Sequence, residues 1–97
     1  MPQLDDYILD VLMRDLVGHD KSTSAFLVYL HIWSQTEGRG VESAELSHQR
    51  IAGATGLSKS AVQNGVRILT RRKLIKAVKP KVTSAPEYCV LKPWRRG

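Results

Sequence analysis

The chain has 97 residues, of which 42% are hydrophobic and 25% are charged. This length and composition are typical of one globular domain and leave no room for a second core. A single cysteine excludes an intramolecular disulfide, and no apolar run in the sequence is long enough to cross a membrane. Because the first residues are acidic where a secretory signal needs a basic start, we expect a cytoplasmic protein.

The net charge of +6 is distributed unevenly along the chain. Residues 1–47 hold three basic and eight acidic side chains, a net charge of −5. Residues 48–97 hold twelve basic side chains and one acid, Glu87, a net charge of +11. Only the second half therefore has the charge to bind a polyanion.

Two helices and a short strand are predicted in the first half. Apolar side chains recur every four residues over residues 4–17, which predicts an acidic amphipathic helix. Ser24 is a candidate N-cap for a second helix over residues 24–36, which is apolar over most of its circumference and is expected at the centre of the core. Residues 41–43 are predicted to form a very short strand. The stripe of the first helix consists of Leu4, Ile8, Leu12 and Leu16.

Residues 47–72 are predicted to form two helices whose connection is too short to let them lie antiparallel. Ser47 and Ser58 are the candidate N-caps, and Gly56 can adopt the positive φ that ends the first of the two helices. Leu57 is expected to fill the angle between them. Two helices that cross steeply at such a turn define a helix-turn-helix.

The second of these helices has an inward and an outward face. Val62, Val66 and Leu69 have the spacing of a buried face. The outward face carries the side-chain types that pair with base edges in the major groove, Arg or Lys with guanine and Asn or Gln with adenine. Its first turn also presents free backbone N–H groups, which suit a phosphate. The predicted base-contacting residues are Lys59, Ser60, Gln63, Asn64 and Arg67.

Two runs of strand-forming residues follow and predict an antiparallel hairpin over residues 74–91. With the helix-turn-helix before it, this stretch resembles the winged helix-turn-helix domains of bacterial transcription regulators, such as the MarR-like and GntR-like groups. It is also similar to the winged domains of plasmid and phage replication initiators. The resemblance is carried by Ile51-Ala52, Thr55-Gly56-Leu57-Ser58-Lys59-Ser60, Val62-Gln63, Val66, Leu69 and Leu74-Ile75, and by Tyr88 and Val90-Leu91 in the returning strand.

The resemblance implies an α+β, mainly α fold: a winged helix-turn-helix over residues 1–97, with a core of three or four helices and a small antiparallel β-hairpin wing. The implied function is sequence-specific binding of double-stranded DNA in a bacterial cytoplasm, as a transcription regulator. A DNA-binding module of a plasmid or phage replication initiator is one alternative, and a winged-helix module that binds protein or RNA is another. The resemblance also implies a homodimer, formed through the N-terminal helix or through the C-terminal tail.

A wing of this type contacts the DNA backbone, which gives the cations around it a predicted role. A solvated basic loop is the alternative interpretation. The predicted backbone-contacting residues are Ser58, Arg71, Arg72, Lys76, Lys79 and Lys81. The basic tail, residues 92–97, is a further candidate for phosphate contact, although we expect Trp94 to attach it to the core instead.

Two positions depart from the family pattern. Gly65 lies in mid-helix where a larger apolar residue or alanine is usual, at a cost of about 1 kcal/mol relative to alanine. It either permits close packing against the second helix or loosens the recognition helix. Lys73 occupies the position of a helix-ending glycine, so that either its backbone is strained or the helix ends by another route.

The sequence contains no recognisable catalytic motif. His19, His31 and His48 lie on different predicted elements and form neither an HExxH motif nor a ligand cluster with Cys89. His31 is expected to be a hydrogen-bonded core residue, and Cys89 a buried residue of a strand. We therefore predict a protein that is not an enzyme, that requires no cofactor or metal, and that does not bind a membrane. The sequence indicates no small-molecule ligand.

Overall fold

Four helices, a 3₁₀ turn and a three-stranded antiparallel sheet make up the computed structural model, which describes residues 4–79 and 85–94. The predicted α+β, mainly helical fold is confirmed, and it is consistent with a winged helix. The N-terminal helix comprises two π-helical segments, Ile8–Leu12 and Arg14–His19. It is followed by α1 (Thr23–Gln35), the 3₁₀ turn Glu37–Arg39, β1 (Ala44–Glu45), α2 (His48–Thr55), α3 (Lys59–Arg71), β2 (Ile75–Val78) and β3 (Glu87–Val90).

The N-terminal helix buries most of the predicted stripe. Ile8, Leu12 and Leu16 are buried, and the helix packs against α1. Its hydrogen bonds reach back five residues, as from the Met13 N–H to the Ile8 carbonyl, so that it is π-helical where the sequence predicted an α-helix. Leu4 is 38% exposed because it precedes the first helical turn.

The central helix, α1, begins earlier than predicted. Ser22, and not Ser24, caps it: the Ser22 hydroxyl oxygen accepts a hydrogen bond from the Ala25 N–H at 3.1 Å. Ala25 is the third residue of the helix, which is the position that an N-cap side chain normally satisfies. The predicted role of α1 is confirmed, since Ile32 and Trp33 are almost fully buried in the core.

The sheet is completed by β1, which makes β3 its central strand in the order β1-β3-β2. Strands β2 and β3 are the predicted hairpin, with Ile75 opposite Val90. Ile75, Tyr88 and Val90 are buried, so the inner face of the sheet joins the core formed by the helices. Among the residues described, no helix combines the length and apolar character needed to span a membrane.

The prediction of a strand over residues 41–43 is wrong, because the chain is still turning there. Gly40 is left-handed with a φ of 70°, and the Val41 N–H donates to the Thr36 carbonyl. The chain becomes extended only after this turn, and β1 therefore begins at Ala44.

The end of the described chain returns to the N-terminal helix. The indole N–H of Trp94 donates to the Asp5 carboxylate at 2.8 Å, and its ring stacks on Tyr7 with 4.7 Å between ring centroids. Trp94 also packs against the core. The prediction that Trp94 attaches the tail to the core is confirmed, whereas residues 95–97 lie outside the described ranges.

Candidate nucleic-acid interface

The caps and the turn predicted for the helix-turn-helix are present. The Ser47 hydroxyl oxygen accepts from the Arg50 N–H at 3.0 Å, and the Ser58 hydroxyl oxygen accepts from the Ala61 N–H at 3.1 Å. Gly56 ends α2 with a φ of 82°, a conformation that strains any residue with a side chain. These three local interactions fix where α3 begins and its direction relative to α2.

Gly65 sets the distance between α3 and α1. It is buried, and a Cβ added to it would lie 3.2 Å from the Ala25 Cα, from the Ser24 carbonyl oxygen and from a methyl group of Val28. Two of these three atoms belong to the α1 backbone, so a side chain here would push the helices apart. Of the two roles left open by the sequence, close packing against α1 is the one that the structure shows.

The buried face of α3 is centred on this contact and differs from the prediction at one position. Val62, Ile68 and Leu69 lie three or four residues from Gly65, which places them on the same side of the helix, and all three are buried. Val66, which was also predicted on this face, is half-buried and packs against the core.

The end of α3 is strained at the position where the family pattern has glycine. Lys73 has a φ of 57°, in the left-handed region. In this conformation the Lys73 N–H donates to the Thr70 carbonyl, and the Leu74 N–H donates to the Leu69 carbonyl at 2.9 Å. The helix therefore ends in a left-handed turn, and Lys73 adopts a backbone conformation that is unfavourable for a residue with a side chain.

The outer face of α3 is free to contact a ligand. The five predicted base-contacting residues are all exposed. Within the described ranges, the side chains of Gln63, Asn64 and Arg67 form no hydrogen bond or ion pair. The Ser60 hydroxyl lies 3.3 Å from that of Ser58, the N-cap of the same helix. An α-helix that presents unpaired amides and a guanidinium on one exposed face has the donors and acceptors needed to bind base edges.

Five of the six predicted backbone-contacting residues fall into three groups. Arg71, Lys76 and Lys79 are exposed cations, as the prediction requires. Ser58 is exposed, but its hydroxyl is engaged as the cap of α3. Lys81 lies outside the described residues.

Arg72 is the exception, since its guanidinium is used within the fold. Its Nη1 donates to both carboxylate oxygens of Asp20, at 2.9 and 3.1 Å, and its Nη2 lies 3.7 Å from the Asp15 carboxylate. The Asp20 side chain is only 10% exposed. The contact joins the end of α3 to the end of the N-terminal helix, and we therefore assign Arg72 a structural role instead of the predicted backbone contact.

Exchange of Arg72 for Met is expected to lower the free energy of unfolding by about 2 kcal/mol, because a largely buried carboxylate loses its bidentate partner. The duplex affinity of the folded protein should stay unchanged. Arg71→Met is the matched control, with a change of stability within about 0.5 kcal/mol and a weaker affinity for every duplex. Urea denaturation and fluorescence anisotropy measure the two quantities, and equal phenotypes for the two variants would contradict the assignment.

An open groove brings the start of α3 and the end of β2 together. Lys59 and Lys79 both line this groove, which has a volume of about 480 Å³, and Ser47, His48 and Gln49 at the start of α2 line its other side. Among the described residues that line it, none is acidic. The His48 ring lies within hydrogen-bond distance, 3.2 Å, of the Tyr88 hydroxyl, and burial raises the pKa of Tyr88.

Gln49, which lines this groove, and its neighbour Arg50 were not among the residues predicted from the sequence. Both are exposed on the first turn of α2. Their position in the first helical turn after the Ser47 cap could have predicted their exposure, because the first turn of a capped helix presents polar side chains and free N–H groups.

Two residues outside this surface differ from the predictions. The Nε2 atom of His31 is buried and has no hydrogen-bond partner among the described residues, although a bonded core histidine was expected. Burial, and then the charge of Arg50, lower the pKa of His31 and favour its neutral form.

Cys89, which was expected to be buried, is half-buried because β3 exposes one face towards a surface groove. The described residues contain no group of three or more His, Cys, Asp or Glu side chains that could hold a metal ion.

Lys92 at the start of the tail is also used within the fold. Its ammonium group pairs with Glu37 and lies 5.9 Å from the centre of the Trp33 ring.

Comparison of the chain with known protein families, with curated proteins and with solved structures found no match. The function is therefore inferred from the geometry of α3, the groove and the hairpin.

Proposed function

We propose that this protein binds double-stranded DNA with sequence preference, as a transcription regulator of a bacterial cytoplasm. In this proposal α3 enters the major groove and the hairpin β2–β3 follows the DNA backbone. The observation that carries the proposal is the groove shared by Lys59 and Lys79, which joins the first turn of α3 to the hairpin in one cationic surface without acidic lining residues.

The chemistry of α3 favours a duplex over other polyanions. A basic surface alone suits any nucleic acid, because phosphate attraction does not depend on sequence. The exposed amides of Gln63 and Asn64 suit base edges, and the width of the B-DNA major groove suits an α-helix. The exposed face also lacks aromatic side chains, on which unpaired bases of single strands would stack.

Selection of bound sequences from a random duplex pool tests the proposal directly. We expect an enriched motif, and tighter binding of that duplex than of scrambled duplex, single-stranded DNA or structured RNA in anisotropy titrations. Binding of all duplexes with equal affinity would remove the sequence preference from the proposal. Absence of duplex binding at low salt, with a folded protein, would overturn the proposal as a whole.

Exchange of Lys79 for Ala should weaken the binding of selected and scrambled duplex by the same factor. The reason is that a lysine on a phosphate carries no sequence information, whereas it displaces a condensed counterion. The slope of log affinity against log salt should fall by about 0.9 for one lost phosphate contact. Arg39→Ala, which removes an exposed cation from the acidic half, is the control and should leave the slope unchanged. A loss confined to the selected duplex would mean that Lys79 reads bases.

A further inference from the structure

We propose that a groove beside the end of β3 binds a short extended peptide with basic side chains, which joins the sheet as an added strand. The groove has a volume of about 480 Å³, and its two sides include residues 40–43 and the end of β3 with Lys92. It shares no described residue with the groove at Lys59 and Lys79. It is therefore a second site, separate from the surface proposed for DNA.

The backbone of Val90 is open towards this groove. Strand β2 pairs with β3 as far as Val90, whereas β1 pairs with it only as far as Tyr88. In an antiparallel ladder, successive residues of a strand direct their N–H and C=O groups to alternate sides. The Leu91 N–H donates to the Leu74 carbonyl on the β2 side, so Val90 directs its N–H and C=O to the other side, where the groove lies.

An extended peptide is the ligand that pairs with such backbone groups. Within the described ranges, no hydrogen bond joins the Val90 N–H or C=O to a group on the β1 side. Val90 is only 9% exposed, and buried backbone donors and acceptors require partners. A strand added to an open sheet edge supplies a donor and an acceptor together. Because β1 occupies the next position along β3, the added segment must end or turn away before Ala44.

The side chains around the groove select a basic and partly apolar peptide. Val41 is 46% exposed and offers an apolar contact. Glu37 is paired with Lys92, whereas Glu42 is exposed and forms no ion pair within the described ranges. The unpaired carboxylate attracts a basic side chain and repels an acidic one. Since successive side chains of a strand point to opposite faces, a peptide that alternates basic and apolar residues suits both contacts.

Amide hydrogen exchange of the free protein tests the open edge of β3. The Val90 N–H should exchange about tenfold faster or more than the N–H groups of Cys89 and Leu91, which face β2. Equal protection of all three would mean that residues 41–43 or a second copy already fills the groove, and would overturn the proposal.

A capped pentapeptide of alternating lysine and valine is the probe for binding. It should shift the amide resonances of Val90 and Lys92 in a saturable way, and at saturation it should slow the exchange of the Val90 N–H. The same peptide with all its backbone nitrogens methylated keeps the charge but has no donors, so its Kd should be about tenfold higher. Equal Kd values for the two peptides, or no shift at Val90, would overturn the proposal.

A charge reversal tests the role of Glu42. Glu42→Lys should raise the Kd of the probe about fivefold, because a carboxylate that attracts the peptide becomes an ammonium group. Glu45→Lys is the matched control, since Glu45 is also exposed and acidic but does not line the groove, and its Kd should stay within about twofold of the wild type. Equal effects of the two variants would show attraction to the overall charge alone and would overturn the site. None of these measurements contains DNA, so their outcome is independent of the proposed function.

Discussion

The double variant Gln63→Ala/Arg67→Ala is expected to lose about 2–6 kcal/mol of binding free energy for the selected duplex, since each base-contacting side chain contributes about 1–3 kcal/mol. This corresponds to a loss of affinity between about thirtyfold and about twenty-thousandfold. The physical reason is that an amide and a guanidinium form paired hydrogen bonds with base edges that alanine cannot replace. Both side chains are exposed and form no hydrogen bond or ion pair with another described residue, so the variant should unfold at the wild-type temperature.

The informative measurement is the ratio of affinities for selected and scrambled duplex. Loss of the Arg67 charge weakens the affinity for selected and for scrambled duplex. Loss of base recognition lowers only the affinity for the selected duplex, so the ratio of the two affinities should fall towards one. Asn64→Ala tests the neighbouring exposed amide in the same way. If the double variant keeps the wild-type affinity for the selected duplex, α3 is not the recognition helix.

Local interactions explain why much of this surface was predictable from sequence. Ser47, Ser58 and Gly56 act on backbone groups within four residues of themselves, so that residue type and spacing suffice to identify them. The exposed face of α3 follows from the helical period in the same way. The fold class followed from the order of these elements.

Long-range contacts explain where the sequence analysis failed. Arg71, Arg72 and Lys73 are three consecutive cations, yet the structure gives them three different roles. Arg71 is exposed, Arg72 pairs with Asp20 from a distant part of the chain, and Lys73 is held in a left-handed turn. A run of basic residues in the sequence does not show which of them pairs with a buried carboxylate, because the partner comes from a distant part of the chain.

The same limit applies to the ends of the elements. Ser22 and Ser24 are equally good caps by residue type, and the choice between them depends on where the chain leaves the N-terminal helix. The Ser22 N–H donates to the Leu16 carbonyl, which fixes this position. The contact of Trp94 with Asp5 likewise joins the two ends of the described chain. The sequence predicted that Trp94 attaches the tail to the core, but it did not identify Asp5 as the partner.

Exchange of Gly65 for Leu should lower the free energy of unfolding by about 3 kcal/mol, at the upper end of what overpacking costs. The added side chain would meet backbone atoms of Ala25 and Ser24 at 3.2 Å, and a helix backbone does not yield as the end of a side chain does. In a domain of this size the loss corresponds to a fall in Tm of about 15 °C.

Gly53→Leu is the matched control, because Gly53 lies in α2 with nothing within 4 Å of an added Cβ. Leucine there should stabilise the protein by up to about 1 kcal/mol through helix propensity alone. A Gly65→Leu variant as stable as the wild type would show that α3 and α1 are not in close contact. Since α1 supports the inner face of α3, the same variant should also weaken duplex binding, although no base-contacting residue has changed. The opposite effects of one substitution at two helical glycines separate the cost of close packing from the intrinsic preference of the helix.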